Sequence, residues 1–181
     1  MANSNGGLHS VRQNCLRLRN AVATTASSKS VPMRLSASTR IAGILEHLEP
    51  AGVHSGDSTA VIPPFTIHKE ILEEIKEKSI RLALGLKVKG LLNIQFAIKN
   101  NDLYILEANP RASRTMPFVA KVTGNQIIKA GTLLMLGYSI EDVKNQTNYL
   151  NGTTNKVAIK KAIFPWSRFP AEDTMLGPEM K

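Results

Sequence analysis

Gln95, Glu107 and Asn109 are the residues of this 181-residue chain whose types and spacing best suit chemistry. They fall on two alternating runs rich in β-branched or aromatic residues, Leu91 to Lys99 and Leu103 to Asn109, separated by Asn100-Asn101-Asp102. That pattern predicts a hairpin, since Asn and Asp tolerate the left-handed conformation such turns require. With a three-residue loop, Lys99 faces Leu103, and counting back along both strands sets Gln95 opposite Glu107. Side chains alternate with period two, so Asn109 shares a face with Glu107, while Leu92, Ile94, Phe96, Ile98, Tyr104 and Leu106 take the other face as core. A two-residue loop would set Gln95 opposite Leu106 and destroy the arrangement. Three oxygen-bearing side chains suit a hard cation such as Mg²⁺, which binds few protein oxygens and fills its shell with water and nucleotide phosphates. Spacing alone equally allows a plain polar edge facing solvent.

Arg111 and Arg114 follow directly, in Glu107-Ala108-Asn109-Pro110-Arg111-Ala112-Ser113-Arg114-Thr115. Guanidinium forks bind phosphate and carboxylate oxygens two at a time, and beside a metal-nucleotide site they neutralise charge on a phosphoryl group in flight. Without that context, two such arginines are ordinary surface residues in ion pairs.

The elements that must position these groups are legible in outline. Ile71, Leu72, Ile75, Leu82, Ala83 and Leu86 fall mostly at helical spacing, predicting a helix from about His68 to Leu86 with its Glu and Lys residues outward. A second helix is expected from about Asn125 to Leu136, stopped by Gly137, and Ser139 could cap a third. Ile41, Ile44, Leu45 and Leu48 form a short apolar element, and Gly52-Val53-His54-Ser55-Gly56-Asp57-Ser58 after it is too polar and glycine-rich for anything but a loop. Asp57 is expected to fix that loop through side-chain to backbone bonds. Residues 1 to 40, rich in Ser, Ala, Thr, Asn and Arg, are expected to be disordered.

Composition narrows the class. With 43% hydrophobic and 20% charged residues the chain is globular in character, and no apolar run approaches the roughly 20 residues a membrane helix needs. The formal charge of +9 invites a nucleic-acid reading. Its basic excess is concentrated before Glu46, however, in Arg12, Arg17, Arg19, Lys29, Arg34 and Arg40 with no acid among them, so the body is nearly balanced and no nucleic acid or membrane partner is expected. Cys15 is the single cysteine, which excludes an intrachain disulfide and a cysteine-based metal cage. A cytoplasmic location is expected, or an organelle if the Arg- and Ser-rich start is a transit peptide.

Taken together, Gly52-Val53-His54-Ser55-Gly56-Asp57-Ser58, Asn93-Ile94-Gln95-Phe96-Ala97 and the Glu107 to Thr115 run resemble the large chain of carbamoyl-phosphate synthetase over about residues 41 to 181. The tail from Phe164 to Met180 resembles that family's second half, which phosphorylates carbamate. The resemblance implies an α+β fold, a partial ATP-grasp domain with an antiparallel hairpin and flanking helices over 41 to 181, following a non-homologous segment over 1 to 40. It implies a ligase using ATP and Mg²⁺ or Mn²⁺ to make carbamoyl phosphate for arginine and pyrimidine biosynthesis, with a glutamine amidotransferase small chain as partner in the full enzyme. Gln95, Glu107 and Asn109 would hold the metal, Gln95 and Glu107 would also contact ATP, Gly52, Val53, His54 and Ser55 would line the nucleotide, and Arg111 and Arg114 would meet the phosphoryl group or carbamate. The family's glycine-rich flap and the arginines over the phosphates precede the matched region and have no counterpart in residues 1 to 40, so the chain is expected to carry one wall of a cleft and to turn over little alone. Another ATP-grasp carboxylate ligase, a basic binding module and a non-catalytic truncated product are the competing readings.

Overall fold

A computed structural model describes the backbone of residues 17–25 and the whole of residues 39–147 and 156–181. Strands β1 (Arg17–Thr25), β2 (Thr39–Pro50), β3 (Ala60–Ile62), β4 (Gly90–Lys99), β5 (Asp102–Asn109) and β6 (Ala158–Lys160) form one sheet in the order β5-β4-β1-β2-β3-β6. Every neighbouring pair is antiparallel. Helices α1 (Lys69–Gly85), α2 (Thr115–Thr123), α3 (Ile127–Met135) and α4 (Ile140–Gln146) flank it, giving the α+β class expected.

The expected disorder over residues 1 to 40 is corrected at two places. Arg17–Thr25 is an inner strand hydrogen-bonded to β2 on one side and β4 on the other, and Thr39 and Arg40 begin β2. An inner strand satisfies its backbone N–H and C=O groups along both edges. It therefore needs no long apolar periodicity of its own, the pattern by which a strand shows in a sequence. Residues 1–16 and 26–38, with Cys15 and most of the transit-peptide reading, lie outside the described residues.

Both faces of the sheet are covered. On one, Ile71, Ile75 and Ala83 of α1 pack on Leu92, Ile94 and Phe96 of β4. On the other, Met116 and Val119 of α2 and Ile127 of α3 pack on Leu91, Ala42, Leu45 and Ile62. Each of the large side chains in these clusters contributes roughly 1.5–3 kcal/mol by leaving water. The helix α3 lies so close to β4 that a Cβ on Gly131 would stand 2.4 Å from Leu91 Cγ.

Helix ends follow the sequence. Ser139 Oγ accepts from Asp142 N at 3.1 Å while Asp142 Oδ2 accepts from Ser139 N at 3.0 Å, a reciprocal cap on α4. Gly137, just past α3, has φ 97°, the left-handed geometry that ends a helix cheaply only with glycine. Helix α2 was not expected from the sequence; its Pro117 stands in the first turn, where a missing N–H costs nothing.

Candidate functional site

The hairpin turn has two residues, not three. Asn100 and Asn101 have φ 52° and 69°, both positive as a tight type I′ turn requires. Lys99 accordingly faces Asp102, Ile98 faces Leu103, Ala97 faces Tyr104 and Phe96 faces Ile105. That register alone would turn Glu107 away from Gln95. It does not, because Leu106 is an extra residue on β5, a bulge at which the ladder slips by one. Beyond it Gln95 faces Glu107 and Asn93 faces Asn109, so the short turn and the bulge cancel.

The bulge also corrects the expected core face of β5. Leu103 and Ala108 pack against the α1-side cluster, whereas Tyr104 and Leu106 are 48% and 50% exposed. Leu106 lines a hollow beside Gln95 and Glu107, on the site face.

Glu107 Oε1 accepts hydrogen bonds from Gln95 Nε2 and, at 2.9 Å, from Asn109 Nδ2. Each amide, turned over about its last torsion, presents oxygen in place of nitrogen, so the same trio becomes one carboxylate and two neutral oxygens aimed at one point. Among the described residues no group of three or more His, Cys, Asp or Glu is arranged for a metal ion. A cation at this edge would therefore rely on Glu107 and the two amide oxygens, a donor set that fits Mg²⁺ or Mn²⁺ completed by phosphate oxygens.

Opposite the hairpin stands the loop from Gly52 to Ser58. His54 organises it: its carbonyl accepts from Asp57 N at 3.0 Å and Ser58 N at 3.1 Å, and its Nδ1 accepts from Gly56 N at 3.0 Å. A Cβ on Gly56 would stand only 3.0 Å from that Nδ1. The C-terminal segment crosses this loop. His54 N donates to Gly177 O at 2.8 Å, and Asp57 Oδ2 accepts from Lys181 N at 2.8 Å. Asp57 thus fastens the distant tail, where the sequence led us to expect a bond within its own loop.

The two walls enclose a cavity of about 440 Å³. Gln95, Glu107 and Asn109 of the hairpin, His54 and Ser55 of the loop, and Arg111 and Arg114 of the segment after β5 all line it. A smaller hollow of about 290 Å³ shares His54, Ser55, Gln95 and Glu107 with it and adds Gly52 and Val53. Every expected site residue therefore borders one or both of these connected spaces. Arg111 Nη1 donates to Ala112 O at 3.1 Å, and Arg114 Nη1 contacts Met180 Sδ.

Asn93, Leu106 and Lys160 are among the lining residues that sequence reasoning did not assign to the site. Asn93 sits two positions before Gln95 on the same parity, and carrying the count one step further would have found it. Leu106 could be found only by knowing the bulge. Lys160 comes from β6, and its Nζ donates to Gly56 O at 2.9 Å across 104 positions of chain, so no local signal points to it. Burial holds the Lys160 ammonium below the usual lysine range; Asp57 and Glu49 oppose that shift and Arg114 reinforces it.

Carboxylate and amide oxygens together with guanidinium and ammonium groups in one cavity are chemically suited to anions and to a hard cation. Comparison with known proteins places the chain in a family. A family model described as "Carbamoyl-phosphate synthase L chain, ATP binding domain" matches residues 41–143. The "Carbamoyl phosphate synthase large chain, C-terminal section" of Aquifex aeolicus is 45% identical over 154 residues, covering 78% of this chain and 29% of that protein. The carbamoyl phosphate synthase large chain of Methanobrevibacter smithii is 53% identical over 143 residues, covering 78% and 13%. This chain thus spans less than a third of either relative. Among solved structures, the biotin carboxylase domain of a single-chain bacterial carboxylase superposes with TM-score 0.55 at 15% identity, covering 71% of this chain and 28% of that one. The biotin carboxylase of Campylobacter jejuni, in a complex with a β,γ-ATP compound, gives 0.55 at 16%, covering 69% and 26%. At that identity the likeness speaks for the fold alone.

Proposed function

Since the chain belongs to the carbamoyl-phosphate synthase large-chain family, we propose that its cavity is one wall of the site where Mg-ATP phosphorylates carbamate. A carbamate oxygen attacks the γ-phosphorus of ATP, the bond to the bridging oxygen of ADP breaks, and carbamoyl phosphate and ADP leave. A bound Mg²⁺ or Mn²⁺ would draw charge from the phosphate oxygens. Gln95, Glu107 and Asn109 would hold it, with Gln95 and Glu107 also meeting ATP, and the Gly52-Val53-His54-Ser55 loop would lie along the nucleotide. Arg111 and Arg114 would fix the carbamate and steady the transferring phosphoryl group.

The observation that carries this reading is the register of the hairpin. A bulge that restores Gln95 opposite Glu107 after a two-residue turn brings three ligand-type side chains to the cavity bordered by both arginines. Another ATP-grasp carboxylate ligase shares the metal edge, but the sequence identity lies with the carbamoyl-phosphate family and the carboxylase likeness is of fold only. In the full enzyme a glutamine amidotransferase small chain would supply nitrogen, in service of arginine and pyrimidine biosynthesis, and the location would be cytoplasmic or organellar.

Phosphoryl transfer needs charge stabilisation from all sides, so this chain alone should bind Mg-ATP weakly, with Kd on the order of 1 mM. Mn²⁺ with ATP, followed by paramagnetic broadening in a ¹⁵N spectrum, should first erase the side-chain amide signals of Gln95 and Asn109. Glu107→Gln should weaken that effect by on the order of tenfold to a hundredfold. Broadening centred on the acidic face of α1 instead would refute the metal edge, and submicromolar binding of Mg-ATP would refute the single-wall reading.

A further inference from the structure

At one end of the sheet stands β5, paired with β4 along one edge and, among the described residues, with no strand along the other. An edge strand presents a row of backbone N–H and C=O groups to other chains, and folds commonly blunt it with Lys or Pro. The stretch Tyr104-Ile105-Leu106 holds neither, and its three residues are 48%, 45% and 50% exposed. The bulge at Leu106 interrupts the ladder, so the regular part of this edge runs from Asp102 to Ile105.

A second hollow adjoins the edge on the α1 face of the sheet. Leu103 packs into the α1-side core, and Ile105, two positions on, takes the same face. Ile105 lines, with Lys78, Arg81, Leu82 and Gly85 of α1 and Leu86 just past it, a hollow of about 440 Å³. Leu86 and Ile105 are both exposed large apolar residues. A half-wet apolar hollow beside an open strand edge marks a contact surface.

The helix stripe bordering that hollow says which partner fits. Glu74, Glu77, Lys78 and Arg81 stand at i, i+3, i+4 and i+7, so they share one face of α1. Acids come first and bases second. Within the chain Lys78 pairs with Glu74 at 2.6 Å and Arg81 with Glu77 at 3.7 Å, and all four side chains keep more than a third of their surface exposed. A second α1 laid antiparallel sets Glu74 against the copy's Arg81 and Glu77 against the copy's Lys78, and a twofold axis makes each pair occur twice. A partner surface of a single charge sign would meet like charge over half the stripe.

We propose that the β5 edge and the adjoining stripe of α1 form a twofold interface with a second copy of this chain. Ile105 and Leu86 of each copy cover the hollow of the other, and the regular part of β5 continues the sheet across the axis. The inference is independent of how the cavity on the other side of the hairpin is read. The opposite sheet edge, β6, has only three residues, with Ile159 exposed. Pairing β5 with a copy's β6 would be head-to-tail and would grow without closing.

Sedimentation equilibrium of the full chain should show monomer and dimer, with Kd on the order of 10 µM and no larger species. Ile105→Lys should raise that Kd by about tenfold or more, while Ile159→Lys leaves it unchanged. Two charge-altered chains test the stripe: Lys78→Glu with Arg81→Glu makes it all acidic, and Glu74→Lys with Glu77→Lys makes it all basic. Each alone should stay monomeric, and an equimolar mixture should recover the dimer. Circular dichroism reports whether each variant is folded, and the mixture carries the test if Ile105→Lys is not. An unaltered chain that is still monomeric at about 100 µM overturns the proposal. So does a dimer that survives Ile105→Lys, an association lost with Ile159→Lys, or a mixture that associates no better than its components.

Discussion

The two walls of the cavity are built in opposite ways. On the hairpin side the functional contacts are local: Gln95 meets Glu107 across 12 positions of chain, and Asn109 meets Glu107 across two. On the loop side the bonds within the turn are joined by remote ones, with Lys160 reaching Gly56 over 104 positions and Lys181 reaching Asp57 over 124. The hairpin wall is a rigid ladder whose other face is core, and the loop wall is a short turn held by distant strands and a tail. A fold that divides the work so can keep the hairpin edge fixed while the Gly52 to Ser58 loop depends on what the chain does far away.

The sharpest way to break that contrast is through the core under the hairpin. Phe96 is fully buried between β4 and α1, and Phe96→Ala should cost about 3–5 kcal/mol in urea denaturation. A loss below about 1 kcal/mol would mean that the hairpin wall is not anchored by the core as described. Removing residues 177–181 should act on the other wall. The His54 amide, freed from Gly177 O, should exchange at least tenfold faster, a local cost of about 1–2 kcal/mol, while amides of β4 and β5 keep their protection. Equal loss of protection in both walls would show that they are one cooperative unit.

Ser139→Ala serves as a calibration outside both walls. It removes the reciprocal cap of α4 and should cost about 1 kcal/mol by thermal denaturation, with no change at the His54 or Gln95 amides. The smallest effect should come from pH. Because burial holds Lys160 below its ordinary value, the unfolded chain binds more protons between the folded and the unfolded pKa, and stability rises with pH through that alkaline window. Lys160→Met should flatten this rise, and an unchanged slope would remove Lys160 from the loop wall's energetics.

The sequence was most informative where the physics is short-ranged. Helix α1 and the cap on α4 follow from spacing and from one Ser with its Asp, and the hairpin follows from alternation around Asn-rich turn chemistry. The Gln95 to Glu107 pairing was reached by a count that assumed the wrong turn, and it held because the bulge at Leu106 supplied the missing residue. Strand β1 was missed because its stabilisation comes from partners on both edges, not from a pattern of its own.

By itself, then, the sequence determined the local elements, the family and the pairing of Gln95 with Glu107 on the hairpin. Side-chain parity and turn preference act over a few positions and are written in the residue types. Only the tertiary structure decided the bulge that keeps the edge in register, the strand inserted between β2 and β4, and the loop wall that joins His54, Lys160 and the tail. Those features depend on backbone groups finding partners across scores of residues, and such partners leave no periodic trace in the sequence.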